Sequence, residues 1–451
     1  MRDLAFVGFL AAFLALGFKR PFLFVLAYTY VTIVSPQRLS YYLLNSLPIA
    51  LIVAALAMAG WALADDKKGL RIAPRQLLIL LLLGYCGLTT WGADMPEPAF
   101  AKWEWVWKAL AFAAFLPLTL RTRLRIEAYI LFLVLSASAI IVTGGIKTLL
   151  SGGGYGTLNL MVDSNSGLYE GSTISTVAIA IIPLILWLAR FGTIFPPDRR
   201  VKLYAAGLIF ACLLIPVGTE ARTGLVCIGV LSVLMLRNVK RRALYITGMA
   251  AAGLAVVPLL PQTFTTRMET ISTYQEDSSA STRIAVWKWT WDYVQDNPLG
   301  GGFDAYRQNR IQVQTVSTGV AGDVQLVNQR FHQDEARAYH SSYFEMLGEQ
   351  GFPGFFLFLL IHGIGIVRME IIRRRFREAA AADAWIAPLA TALQNFQFIY
   401  LTGSLFLGIA FQPFVWMMIG AQIGFDLHVS GKARAEARRP FGAPLAPQPA
   451  G

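Results

Sequence analysis

Charge is scarce in this chain. Only 15% of its 451 residues are Asp, Glu, Lys or Arg, while 55% are hydrophobic and the mean hydropathy is +0.52. A water-soluble protein carries roughly a quarter of its residues as charges, so a soluble globular enzyme is excluded. Cysteine is almost absent. Cys86, Cys212 and Cys227 all stand in apolar surroundings with no CxxC pair and no Cys/His cluster, which excludes a disulfide framework and a zinc site. The glycines at 152–154 are followed by no Gly-Lys-Ser/Thr, so they form no phosphate loop. The first twenty residues, MRDLAFVGFLAAFLALGFKR, lack a small-x-small cleavage site and more apolar segments follow, so they are read as an uncleaved first segment. No internal repeat stands out.

What is present comes in apolar blocks of membrane-spanning length, at 4–18, 22–36, 47–64, 76–91, 106–120, 126–143, 172–193, 201–218, 223–236, 243–260, 352–367 and 384–427. The last is long enough for two helices turning near Gly403 and Ser404, and the first two are short. The fold class is therefore an all-α polytopic membrane protein with about twelve transmembrane helices, uncertain by one. The formal net charge of +12 does not point to nucleic acid, because the Lys and Arg residues cluster between the apolar blocks. Lys67–Arg75, Arg121–Arg125, Arg199–Lys202, Arg237–Arg242, Arg373–Arg377 and the tail after Lys432 form one set of loops, which the positive-inside rule makes cytoplasmic. The loops at 92–105, 144–171, 219–222, 261–339 and near Gly403 are then external. Four regions follow: a transmembrane bundle over 1–260, a large external loop over 261–339, transmembrane helices over 340–430, and a Pro/Ala-rich cytoplasmic tail over 431–451.

The candidate chemistry lies on the external face. In the Gly/Ser-rich loop 144–171, Asp163 and Asn165 are placed to bond sugar hydroxyls if the glycines let a ligand approach; a plain turn is the simpler reading. In the large loop, STRIAVWKWTWDYVQ (281–295) puts Ile284, Trp287, Trp291 and Val294 at helical spacing, so an amphipathic helix is expected with its tryptophans packed against the core. Asn297-Pro298 and the glycines at 300–302 end it. The stretch 311–330 alternates weakly and is read as a short hairpin. Arg222, in a tight turn, defies the scarcity of positive charge outside and so calls for an anionic partner. Arg283 opens the loop helix. His340 stands just ahead of a helix that enters the bilayer, and its side chain is the one suited to moving protons near neutrality. His332 competes with it from the same loop; His340 is favoured because a helix start fixes a side chain better than a loop. His362 lies within the membrane segment and reads as a core residue, and His428 lies near the cytoplasmic end. Asp334-Glu335 reads as solvated loop charge.

Three blocks carry a family resemblance: TEARTGLV (219–226), STRIAVWKWTWDYVQDNPLGGGFDAY (281–306) and AYHSSYFEMLGEQGFPGF (338–355). Together they resemble the O-antigen ligase and polymerase superfamily of membrane glycosyltransferases, whose fold is C-type glycosyltransferase-like. The likeness is closest to the O-glycosylation ligases that accompany exosortase A systems and covers roughly 217–356. The resemblance implies that His340 is the catalytic base and that Arg222 and Arg283 bind pyrophosphate. Glu349, Tyr343 and Ser341 fall on the same motif and are implied to serve substrate binding, with Glu349 in a structural or orienting part. Two positions depart from the pattern: Ala221 replaces a Ser, and Ser341 replaces the Asn after the histidine, which bears on how the acceptor is held.

The activity implied is an inverting, metal-independent transfer from an undecaprenyl-pyrophosphate-linked glycan to a sugar, lipid or protein hydroxyl at the periplasmic face of the bacterial inner membrane, with no cofactor. No adjacent carboxylate pair accompanies His340, as metal-dependent transfer would want. The alternatives are a polysaccharide polymerase of the same superfamily and, in another class, a transporter or flippase of lipid-linked glycan. A transporter needs ionisable groups or broken helices at mid-membrane, whereas the charges here gather at one face.

The charge pattern makes a direct prediction. A single cysteine placed at Ser317 in a cysteine-free background should react with an impermeant thiol reagent in intact spheroplasts. Labelling only after lysis would overturn the assigned sidedness.

Overall fold

The computed structural model describes residues 2–40, 44, 47–151, 168–237, 241–244, 246–248, 251, 278–321 and 324–437. Asp163 and Asn165 and most of the block at 243–260 lie outside the described residues. In order, the helices are α1 (Arg2–Lys19), α2 (Phe22–Val34), α3 (Pro36–Leu39), α4 (Ile49–Ala64), α5 (Pro74–Trp91), α6 (Pro96–Phe115), α7 (Arg123–Ser151), α8 (Gly171–Phe191), α9 (Arg199–Gly218), α10 (Arg222–Leu236) and α11 (Ser278–Asp296). An antiparallel hairpin follows, β1 (Arg310–Ala321) and β2 (Val324–Glu335), in register from Arg310 opposite Glu335 to Ala321 opposite Val324. The chain ends with α12 (Ser342–Arg375), α13 (Ile386–Gly403) and α14 (Pro413–Ala437). Among the described residues four helices are long and apolar enough to cross a bilayer: α7, α8, α9 and α12; α2, α4 and α10 are shorter apolar helices. The chain is thus a mostly helical membrane protein.

Local sequence explains most boundaries. Pro74 and Pro96 sit in the first turns of their helices, where a missing N–H costs nothing. The side chain of Glu170 caps α8 by accepting from Ser172 N (3.0 Å) and Thr173 N (2.6 Å), and Asp198 caps α9 by accepting from Val201 N (2.7 Å). The long terminal apolar block divides where expected, with α13 ending at Gly403. One expectation fails: residues 96–105, read as part of the loop at 92–105, are the first half of α6. The helix tolerates Lys102 because the fold supplies its counter-charges from α12. The buried stripe of α11 also differs from expectation. Val286, Thr290 and Val294 face inward, whereas Ile284 and Trp291 are 61% and 51% exposed, so two of the expected core residues face out. Trp291 meets Phe352 edge-on, at the start of the apolar run of α12.

Two of the loops assigned to the cytoplasmic set meet, and α14 joins the second of them. Arg125 forks onto Asp65 (2.6 and 2.7 Å), Arg368 onto Asp426 (2.6 and 2.8 Å), and His428 Nδ1 lies 3.0 Å from the Arg121 carbonyl. Arg75, expected in one of those loops, is instead buried in the first turn of α5, where it donates to the Ile361 carbonyl and to Gln422, which bonds Gln397, which in turn bonds His362 Nδ1 (2.9 Å). These polar groups are buried and hydrogen-bonded, as helix-to-helix links in a bilayer are.

At the other end two backbones interlock. α12 is broken at Gly351 (φ 60°, ψ −166°), and the loop after α11 lies in the break. Gly301 N donates to Gly348 O (3.0 Å), Gly302 N to Glu349 O (2.9 Å), and Phe352 N to Pro298 O (3.0 Å). Gly300 (φ 84°) and Gly351 face each other so closely that a Cβ on either would strike the other's backbone. Beside this crossing, Lys102 Nζ donates to Glu345 (2.6 Å) and Glu349 (2.8 Å) and lies 3.9 Å from Asp304.

Lys102→Met should therefore leave Glu349, which is fully buried, without its cation. Breaking a buried pair from one side costs about 3–5 kcal/mol, so thermal unfolding in detergent should fall markedly. Adding Glu345→Gln and Glu349→Gln should recover part of the loss, as coupled groups do. A Lys102→Met protein that melts like the wild type would show that the cluster contributes nothing to stability.

Candidate functional site

At the same end the helices leave a cavity of about 770 Å³. Its walls come from α2 and α3, the inner face of α6, the start of α8, the 304–307 turn, the segment 338–340 and the first turns of α12. His340 stands at this cavity with Glu170, Asp304, Lys102, Glu345 and Glu349 among the lining groups. Five described non-glycine residues have positive φ: Ser35, Glu220, Asp304, Ala336 and His340. Three of them, Ser35, Asp304 and His340, line the cavity. Each such residue stores about 1–3 kcal/mol, and strain of this kind collects at functional sites.

His340 (φ 47°) owes its conformation to contacts on both sides. Upstream, Asn309 clamps Arg337: its Nδ2 donates to the Arg337 carbonyl (2.7 Å) and its Oδ1 accepts from Arg337 N (3.0 Å). Trp287 Nε1 donates to the Tyr339 carbonyl (2.8 Å), and the indole stacks flat on Phe344 with centroids 5.0 Å apart. The Tyr339 side chain is buried in a small second core with Val286 and Ile311, and it meets Tyr306 edge-on. Downstream, Ser342 N donates to Ser404 O (2.8 Å), and the Ser342 hydroxyl bridges Leu407 O and Ile409 N. The histidine is thus an exposed residue, between buried Tyr339 and Ser341, in a strap held by α11 and the residue before the hairpin on one side and by the α13–α14 turn on the other.

Electrostatics favour the neutral ring. Crowding by protein, then the Arg283 guanidinium, then Arg337 push the His340 pKa below its ordinary value, and Glu170 opposes them. A neutral imidazole near neutral pH is a proton acceptor. Arg283 lies one helical turn before Trp287, whose indole bonds the Tyr339 carbonyl, so α11 brings the guanidinium's end of the helix toward the strap.

The other expected site residues fall as follows. Arg222 opens α10 after a turn with Glu220 at φ 52°, and that turn packs on the start of α8, where Thr219 Oγ1 lies 2.7 Å from Ser175 Oγ. Glu170, which faces His340, begins the same helix end, so the Arg222 turn and the strap share one face. Neither arginine lines the cavity itself. Glu349 does, but its carboxylate is engaged by Lys102 and by Asp304 N (3.0 Å), an orienting arrangement. Ser341 is buried at the cap of α12, and the Tyr343 hydroxyl donates to Leu401 O (3.0 Å) within the helix pack. His332 lies on β2 opposite Val313.

Sequence reasoning missed Lys102, Glu170, Asp304, Glu345 and Arg307. A lysine inside a helix-length segment, with two glutamates a helical turn apart elsewhere (345 and 349), was the available signal for the first and fourth. Nothing in the sequence ties Glu170 to the histidine.

Comparison with known proteins divides the chain in two. Residues 207–359 match the family described as O-Antigen ligase, and residues 1–193 match a family of unknown function. No curated protein matches. The first match contains Arg222, Arg283, His340 and Glu349; the second contains Lys102 and Glu170, so the cavity is built from both. Over residues 207–359 the chain is thus similar to the O-Antigen ligase family, which supports a ligase-like membrane glycosyltransferase type of function.

Proposed function

We propose that this protein transfers a glycan from a polyprenyl pyrophosphate, undecaprenyl pyrophosphate in a bacterial inner membrane, to an acceptor hydroxyl on the periplasmic side. The layout is about twelve spans with the large loop outside. The observation that carries the reading is a strained, neutral-leaning His340 at a cavity, with the Arg283 guanidinium beside it.

The acceptor hydroxyl enters from the cavity and gives its proton to an imidazole nitrogen of His340 as its oxygen attacks the anomeric carbon. The bond from that carbon to the pyrophosphate oxygen breaks, and the electron pair leaves with the polyprenyl pyrophosphate. Arg283 and, from the adjoining turn, Arg222 meet the charge that develops there; guanidinium forks match phosphate oxygens bidentately. Pyrophosphate is a good leaving group, so no acid has to protonate it. A single displacement inverts the anomeric centre. The Lys102 cluster holds the wall opposite the histidine, and Glu349 serves it by orienting Lys102 and the Asp304 backbone. Ser341 and Tyr343 support the strap from behind. The acceptor hydroxyl belongs to a sugar, a lipid or a protein side chain. Transfer by a positioned base needs no metal, and activity should persist in chelator.

His340→Ala in purified protein with lipid-linked donor should fold and bind donor yet lose about 10²–10⁴-fold in transfer rate. Full activity in that variant would remove the base assignment, and abolition of wild-type transfer by chelator would indicate a metal route instead. Arg222→Ala and Arg283→Ala should each cost about 1.5–3 kcal/mol in kcat/KM, with lysine a partial substitute. Wild-type rates in both would remove the clamp.

The pH profile adds an independent check. A base works only when deprotonated, so activity falls as pH drops through the His340 pKa. Because that pKa is pushed down, the acid limb should lie below the ordinary histidine value of about 6.5. Arg283→Gln removes a neighbouring positive charge and should move the limb upward. An unmoved limb would dissociate Arg283 from the titrating group.

A further inference from the structure

The donor N–H of Trp287 has no part in the chemistry just described, yet it points at the backbone of the strap. Trp287 is one helical turn after Arg283 on α11, so one face of that helix presents the guanidinium and the indole to the same segment. The indole Nε1 bonds the carbonyl of Tyr339, the residue immediately before His340, at 2.8 Å. That peptide orients the left-handed His340, whose φ of 47° is costly for a side-chain-bearing residue and needs holding. The indole plane is itself fixed by the parallel stack on Phe344, 5.0 Å away with 4° between the rings.

We propose that Trp287 is a positioning residue for the transfer reaction: its N–H pins the Tyr339 carbonyl and so keeps the His340 imidazole over the cavity and beside Arg283. The inference rests on the reading of His340 as the base. Without the N–H, the Tyr339 carbonyl loses its partner and the backbone at 339–340 relaxes toward ordinary negative φ. The imidazole then swings away from its station. The charged groups around it are Arg283 from α11, Glu170 from the start of α8 and Arg337 from its own strap, with Asp304 and Arg307 on the cavity wall. Moving away from Arg283 relieves a repulsion, so the ring becomes easier to protonate.

The test uses the full-length purified protein with two substitutions. Trp287→Phe keeps an aromatic ring on Phe344 and removes the N–H. Replacing Trp287 with benzothienylalanine keeps the indole shape and puts sulfur in place of the N–H. Two quantities are read: steady-state transfer over a range of pH, and the pH midpoint for carbethoxylation of His340 by peptide mass spectrometry, which needs no substrate. Both variants should lose about 10–100-fold in kcat, the scale expected when a reacting group is misplaced by about 1 Å, with KM little changed. The acid limb and the carbethoxylation midpoint of His340 should both move upward.

An unchanged midpoint overturns the inference, whether kcat is also unchanged or falls together with thermal stability; the second pattern would make Trp287 a packing residue only. The His340→Ala control keeps the two readings apart. Should it transfer at the wild-type rate, the base assignment falls on that result, while the midpoint still reports whether Trp287 holds the ring.

Discussion

One ammonium group stands among three carboxylates at the cavity end of this bundle. Lys102 reaches Glu345 and Glu349 at hydrogen-bond distance and Asp304 at 3.9 Å, and the faces of Phe303 and Phe411 lie 5.5 and 5.9 Å from its nitrogen. The partners come from α12, from the loop after α11 and from the approach to α14, so a single charge binds elements from across the chain. Other donors complete the set: Ala410 N donates to Glu345, Asp304 N to Glu349, and Arg307 Nε to Asp304 (3.1 Å). Buried charges are tolerable only under such full satisfaction. The cavity wall therefore holds its shape, because moving any one element would uncover a charge.

The glycine crossing does by sterics what the lysine does by charge. Gly300 and Gly351 allow two main chains to touch, and three amide-to-carbonyl bonds seal the contact. This aligns α11 with the break in α12. Arg283 and Trp287 then fall opposite the strap that carries His340. The placement of α11 and the strap is thus a property of two anchored backbones rather than of flexible side chains.

Much of this was legible in the sequence. Apolar block lengths mark α8, α9 and α10 to within two residues, weak alternation marks the hairpin, and Pro-Leu followed by glycines marks the end of α11. His340 and Arg283 were singled out from residue type and place, and the fold brings them together. What was illegible was long-range. Lys102 finds its glutamates 243 and 247 positions away, so the first half of α6 was read as loop, while its second half was marked by the block at 106–120. The face of α11 was misread for a related reason: in a helix with tryptophan at 287, 289 and 291, apolar periodicity fits more than one stripe, and only the packed partner selects among them.

The strap around His340 also has an order of assembly written into it. Its geometry depends on Asn309 and Trp287, which precede it in the chain, and on Ser404, Leu407 and Ile409, which follow by more than sixty residues. During synthesis and insertion the histidine emerges long before its last supports. Until the turn after α13 reaches it, nothing fixes Ser342, and the strained backbone just ahead lacks one of its two abutments. The geometry at His340 is therefore completed as one of the last events of folding, and a chain stalled or cut before Leu407 leaves the strap without its second abutment.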